Sequence, residues 1–284
     1  MGRHNPGSGI APSAFLLRYG PWAVVTGASD GIGRAMALDL AGRGFGLVLA
    51  ARRQDRLAAV AARARALSGL DPVVVAADLG TQDGLQALFD ATAVLDVGLV
   101  ICAAGFGTSG AFAASDPETE CAMIRLNCES LMLTTRHFAE RLARRGRGGI
   151  VLMSSLVAFQ GVPRAAHYAA TKAYVQTLAE GIRRELAPVG VDVLASAPGP
   201  VASGFAARAA MTMGRAEAPE VVARGTLATL GRRTTARPGL LAKLLEGSLA
   251  PLPRAGRIRI MEAVMRGMTG AGHGEGEIGR GGPA

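Results

Sequence analysis

The sequence predicts an α/β fold, a doubly wound parallel sheet built as a single domain. Six short apolar runs recur between residues 22 and 197 and alternate with segments of helical pattern. Strands of a parallel sheet covered on both faces read as such runs. A glycine-rich turn directly follows the first run, and nothing interrupts the alternation long enough to mark a domain boundary. A chain of 284 residues without an internal repeat is therefore read as one large domain.

The elements follow in order. Residues 1–18, rich in Gly, Pro and Ser, read as a flexible arm ahead of a domain over residues 19–268. Trp22–Thr26 is apolar and β-branched, a buried strand. Gly27-Ala28-Ser29-Asp30-Gly31-Ile32-Gly33 opens an Ala/Leu-rich helix running to about Gly42. Gly46–Ala51 is the second strand, and Gln54–Ser68 follows a 3.6-residue period. Residues 72–77 form the third strand and 83–93 a helix; residues 98–102 form the fourth. One long helix is expected over residues 117–145, with Pro117 suited to its first turn. Residues 149–153 are the fifth strand, the helix carrying Tyr168 and Lys172 ends before Pro188, and residues 191–197 are the sixth. There the rhythm breaks. Residues 198–217 read as a loop and 219–230, 240–249 and 258–268 as helices, so that 198–268 would hold the substrate; the Gly-rich residues 269–284 read as a disordered tail.

Composition narrows the function classes. No run of 18 uncharged apolar residues appears and the first twenty residues lack a signal-peptide core, so neither a spanning helix nor secretion is expected. Three Cys without a C-x-x-C pair argue against a disulfide framework, and a cytoplasmic location is expected. The net charge of +9 raises nucleic-acid binding, but the Arg are scattered and no aromatic residues interleave them, so none is expected. No His/Cys/Asp cluster has metal-ligand spacing, and no metal is expected.

A glycine turn between a strand and a helix is where a pyrophosphate would sit, facing backbone N–H groups and a helix N-terminus. The spacing here is G-x-x-x-G-x-G, and Gly27, Ser29, Asp30, Gly31, Ile32 and Gly33 are its candidate contacts. The second strand ends in Arg52 and Arg53 with no acid before Asp55. A carboxylate there would hold ribose hydroxyls, whereas Arg clamps a 2′-phosphate, so NADP (NADPH) is favoured over NAD; the pair could also be a solvated helix start. Asp78, beside Leu79, is placed to meet the adenine, and Ala103-Ala104-Gly105 leaves room for a cofactor against backbone.

Tyr168 and Lys172, four apart, share a helix face. A phenol of pKa about 10 is sharpened as an acid by a nearby ammonium. Lys is rare in this chain, two of 31 basic residues, which singles out position 172; a chance coincidence on an amphipathic helix is the competing reading.

With the turn Thr26-Gly27-Ala28-Ser29-Asp30-Gly31-Ile32-Gly33, Tyr168-x-x-x-Lys172 and Pro198-Gly199-Pro200-Val201 in place, the chain resembles the short-chain dehydrogenase/reductase family across about residues 18–205. Arg18-Tyr19-Gly20-Pro21-Trp22 resembles its branch of 3-oxoacyl-CoA reductases and 17β-hydroxysteroid dehydrogenases. The resemblance implies a Rossmann-like fold and a catalytic set of Asn127, Ser155, Tyr168 and Lys172, with Ser154 the alternative to Ser155. Tyr168 would be the general acid/base and Ser155 would orient the substrate oxygen. Lys172 would hold the nicotinamide ribose and lower the pKa of Tyr168, while Asn127 would support a water bridging to Lys172. Asn127, Tyr168, Lys172, Pro198, Gly199, Val201 and Ser203 would also meet the cofactor.

Two departures stand out. The family's N-N-A-G is here Cys102-Ala103-Ala104-Gly105, and the family's Thr after P-G-x-V is Ser203. The usual C-terminal strand is hard to see. The implied activity is NADP(H)-dependent interconversion of a ketone and a secondary alcohol. The substrate would be an apolar carbonyl compound (3-oxoacyl, polyketide or steroid-like) among Phe106, Phe159, Gln160 and Phe205, with Met211 and Met213 near, and His167 structural or pocket-lining. The competing reading is a non-catalytic NADP-binding regulator or scaffold on the same fold. A homodimer or homotetramer is expected. The Leu-rich, basic stretch over residues 240–266 reads as a lid or oligomer contact before a membrane-surface contact.

Overall fold

The computed structural model describes residues 13–209, 211–212, 216–249 and 251–269. Most of the expected arm, the Gly-rich tail from residue 270 and Met213 lie outside the described residues. The first half of the chain runs α1 (Ala14–Tyr19), β1 (Trp22–Thr26), α2 (Gly31–Gly42), β2 (Gly46–Ala51), α3 (Gln54–Ser68), β3 (Val73–Ala76), α4 (Gln82–Thr92) and β4 (Val97–Cys102). There follow α5 (Pro117–Ile124), α6 (Leu131–Arg145), β5 (Gly148–Met153), α7 (Ala166–Leu186), β6 (Val191–Ser196), α8 (Phe205–Arg208), α9 (Pro219–Thr229), β7 (Thr235–Ala236), α10 (Leu240–Leu249) and α11 (Arg254–Met268).

The strands form one seven-stranded sheet in the order β3-β2-β1-β4-β5-β6-β7, parallel throughout. Side chains alternate across it with the period of two that a strand imposes. Val25, Leu49, Ile101, Val151 and Leu194 face one apolar layer with Leu40, Phe45 and Leu227 of the α2/α9 side. Val24, Val48, Val100, Ile150 and Val193 face the other, with Leu88, Phe138, Leu142 and Val175 of α4, α6 and α7. Each such side chain contributes about 1.5–3 kcal/mol by leaving water, so the sheet is fixed from both faces. The order reverses between β1 and β4, and the crevice above their carboxyl ends is where a doubly wound sheet binds its ligand.

The structure departs from the sequence reading at five places. The described end of the expected arm is helical: Ser13 Oγ caps α1 by accepting from Leu16 N–H at 3.2 Å, and Tyr19 O–H donates to Asp192 Oδ2 at 2.7 Å. The single long helix expected over 117–145 runs through without a gap but widens into a π-helical turn at Arg125–Ser130. A seventh strand exists, two residues long, pairing Thr235 with Ala195 and Ala236 with Ser196. The expected loop after residue 198 holds α8, and α11 begins at Arg254 behind the N-cap Pro253 rather than at 258. Among the described residues no helix is long and apolar enough to cross a membrane.

Candidate active site

The turn between β1 and α2 is shaped by two glycines. Gly27 has φ 67°, and a Cβ there would lie 2.7 Å from Ala103 O; one on Gly33 would lie 2.3 Å from Gly27 O. Neither position admits a side chain, so helix, turn and β4 close up and the turn's backbone faces the crevice. Asp30 Oδ1 accepts from Gly31 N–H at 2.7 Å, capping α2. After β4, where the family's two Asn are absent, Thr26 ties down the turn's backbone. Its Oγ1 accepts from the N–H groups of Ala103 and Ala104, each at 3.1 Å, and donates to Ile101 O at 3.4 Å.

Beside the turn lies a cationic rim. Arg53 Nη2 donates to Ser29 Oγ at 3.3 Å and stands 3.6 Å from Asp30 Oδ2, which Arg56 approaches to 3.7 Å. Arg52 stands 3.9 Å from Asp78. These pairs are long and solvated, worth about 0–1 kcal/mol each, so they hold the rim loosely and leave its guanidiniums free to take another anion.

At the other end, Tyr168 and Lys172 sit one turn apart on α7, 9% and 6% exposed. Burial pushes the Tyr168 pKa up to about 12, and the neighbouring Ser155 hydroxyl pulls it down in part. Lys172 Nζ donates to Met153 O at 2.8 Å and lies 5.8 Å from the Tyr168 ring centre. Burial lowers its own pKa to about 8. The ammonium expected to hold down the phenol is thus turned toward a carbonyl, and Ser155 does what lowering there is. Ser154 is the other serine in kind: its Oγ donates to Lys172 O at 3.2 Å and pins α7 to β5.

Asn127 stands apart from the expected cofactor contacts. The π-turn carries it fully buried behind Gly105. Its amide is committed, donating to Phe106 O at 2.8 Å and Thr171 Oγ1 at 3.1 Å and accepting from Phe106 N–H at 3.1 Å. The side chain therefore braces the β4 turn and α7, and does not itself reach Lys172.

An open cleft of about 420 Å³ joins the two ends. Every other expected site residue lines it: the glycine turn, Arg52, Arg53, Asp78, Leu79, the stretch from Ala103 to Phe106, Ser155, Phe159, Gln160, Tyr168, Lys172, Pro198, Gly199, Val201, Ser203, Phe205 and Met211. Phe205 packs on Tyr168 with ring centres 5.4 Å apart, and the Arg237 guanidinium lies over Phe159 at 4.7 Å. His167 does not line the cleft; it pairs with Glu120. The sequence reading missed Arg208, Arg237 and Arg257 individually; Ile260, Met261, Val264, Met265 and Met268 of α11 fall in the stretch it expected to hold the substrate. Spacing of three and four marks that face as a stripe, and it covers the cleft as the lid alternative expected. Met265 packs on Val162, Ala165 and Ala169, the threshold of the Tyr168 helix.

The arrangement matches known proteins. The family described as short chain dehydrogenase matches residues 21–214. A 7beta-hydroxysteroid dehydrogenase of Clostridium sardiniense is 33% identical over 180 residues, 63% of this chain and 69% of the relative. A very-long-chain 3-oxoacyl-CoA reductase of Podospora anserina is 40% identical over 181 residues, 62% of this chain and 53% of that protein. A short-chain dehydrogenase from Sphingobium yanoikuyae in complex with NADPH superposes with a TM-score of 0.73 at 31% identity, covering 83% of this chain and 97% of that one. A 7beta-hydroxysteroid dehydrogenase structure superposes with a TM-score of 0.80 at 25% identity, covering 87% and 98%. With the family matched over residues 21–214, the chain is a member of the short-chain dehydrogenase/reductase family, nicotinamide-dependent oxidoreductases acting on CH–OH and C=O groups.

Proposed function

We propose that the protein is an NADPH-dependent reductase that converts a bulky apolar ketone to its secondary alcohol. The observation that carries this is the buried Tyr168 beside Ser155 and Lys172, set in one cleft between an apolar roof and an arginine rim. The residues fit the cofactor: the backbone cradle at Gly27 and Gly33 admits no Cβ, and Arg52, Arg53 and Arg56 gather where, among the described residues, Asp30 and Asp78 pair with them. Such a rim suits a 2′-phosphate better than a diol. When bound, the reduced nicotinamide supplies the hydride that forms the new C–H bond at the carbonyl carbon.

The chain's own residues handle the oxygen. Tyr168, neutral throughout the physiological range because burial raises its pKa to about 12, gives its proton to the oxygen as negative charge develops there. Ser155 Oγ donates a hydrogen bond to the same oxygen, an oxyanion-type stabilisation. Lys172 supplies a positive charge beside the phenol as it loses its proton. Asn127, by holding Phe106 and Thr171, fixes the wall against which Lys172 lies.

Methionine and phenylalanine dominate the far wall: Phe159, Phe205, Met261, Met265 and Met268. Such side chains adapt to large apolar shapes and bind them by area. The hydroxysteroid and long acyl substrates named for the relatives are of this kind. The test is a panel of steroid, 3-oxoacyl and small ketones, following NADPH and NADH oxidation. The proposal expects turnover of a bulky apolar ketone, with NADPH preferred by at least about tenfold, equivalent to about 1.4 kcal/mol. Tight NADPH binding with no turnover across the panel would favour a scaffold role instead.

A further inference from the structure

Helix α8 is short, but it joins the two ends of the cleft. At its start Phe205 lies against Tyr168, ring centres 5.4 Å apart; at its end Arg208 lines the same cleft as Arg52 and Arg53. The segment rests directly on the glycine turn. A Cβ on Gly204 would lie 2.5 Å from Asp30 Oδ2, and one on Gly31 would lie 3.0 Å from Ser203 Cβ. That same Asp30 oxygen is the one Arg53 and Arg56 approach, at 3.6 and 3.7 Å. Arg208 N–H donates to Gly204 O at 3.3 Å, so its Cα stands one turn from this carboxylate.

Arginines from two segments, residues 52–56 and α8, therefore line this end of the cleft: Arg53 and Arg56 stand at Asp30, Arg52 at Asp78, and Arg208 lines the same cleft one turn beyond Gly204, which rests on Asp30. The arrangement is electrostatically unfavourable for Arg208 itself. Burial and the charges of Arg53, Arg52 and Arg56 hold its guanidinium below its ordinary pKa, with Asp30 pulling the other way. A dianion placed among the four would reverse the balance, since each arginine gains a charge-assisted partner and the mutual repulsion is offset. A ribose diol, carrying no charge, would not.

We propose that Arg208 is a ligand of the 2′-phosphate of NADP(H), mounted on the substrate segment, so that the phosphate fastens residues 203–209 over the cleft. Cofactor identity is then felt in substrate affinity: the phosphate at one end of α8 sets Phe205 against Tyr168 at the other. The inference rests on the NADPH reading above and deepens it.

The test uses two small probes, adenosine 2′,5′-bisphosphate and 5′-AMP, which differ by the 2′-phosphate. Binding is measured by calorimetry on the full chain, and hydrogen exchange is followed over residues 203–209. In the wild type the bisphosphate should bind more tightly than AMP and slow exchange in that segment. Arg208→Gln should weaken the bisphosphate by about tenfold, about the worth of one charge-assisted contact, leave AMP affinity unchanged as its internal check of folding, and abolish the protection. With NADPH, the ketone KM should rise severalfold in Arg208→Gln; with NADH it should not move. Unchanged bisphosphate affinity in Arg208→Gln, while Arg52→Gln with Arg53→Gln weakens it, would overturn the role of Arg208 and leave the NADPH reading intact. Equal weakening of both probes by Arg208→Gln would overturn it as well. Equal affinity of the two probes for the wild type would overturn both readings together.

Discussion

Lys172 is one of two lysines among 31 basic residues, and burial makes its charge conditional. Its pKa, lowered to about 8, lies below the ordinary 10.5. The buried ammonium therefore costs stability below about pH 8, and that cost is relieved as pH rises toward the unfolded value. Tyr168, raised to about 12, keeps its proton across the same range, and its contribution is lost only as pH climbs from its ordinary value through the raised one. The two groups thus separate: the proton donor is loaded while the cation beside it titrates. We expect kcat/KM for NADPH, which reports groups of the free enzyme, to fall as pH rises through about 8. A profile level across that range would contradict the assignment of Lys172. Thr26 gives a second test at this scale. Thr26→Val leaves the N–H groups of Ala103 and Ala104 without their acceptor, each costing about 1–3 kcal/mol where buried. Thermal denaturation should show a loss of that order, and an unchanged Tm would mean the turn is held some other way.

At the scale of elements, the glycine turn makes the firmest prediction. A Cβ at Gly33 meets Gly27 O at 2.3 Å, backbone against backbone, so Gly33→Ala must shift the turn itself. Overpacking of this kind costs about 1–3 kcal/mol, and the NADPH Kd, measured by calorimetry, should rise by tenfold or more; an unaltered Kd would show that the turn does not form the cradle. The turn was legible because three Gly between a β-branched run and an Ala/Leu-rich stretch admit few other structures. Five of the six longer strands were legible for the same reason: buried on both faces, Val24, Ile101 and Val193 must all be apolar, whereas β3, at the sheet edge and partly exposed, was legible from its three consecutive Val. β7 was not, because two residues, Thr235 and Ala236, carry no period and depend on β6 for their place. The π-turn at Arg125–Ser130 leaves the helical pattern on either side intact and so leaves no mark in spacing. Arg208 was missed for a different reason: only the folded chain brings it to residues more than 150 positions earlier.

At the scale of the whole molecule, the sheet reversal between β1 and β4 sets the cofactor crevice, and the chain after β6 closes it. α11 lays its methionine face over the cleft and packs through Met265 against the start of α7. One end of the cleft is cationic, the other apolar, and Tyr168 stands between them within reach of Ser155. In the proposed reaction this phenol delivers the proton. The direct measurement is single-turnover reduction of a responsive ketone by Tyr168→Phe with NADPH bound. The account predicts a rate lower by about 10²–10⁴-fold, the usual worth of a positioned general acid, with NADPH Kd unchanged. Turnover within a few-fold of wild type would contradict it.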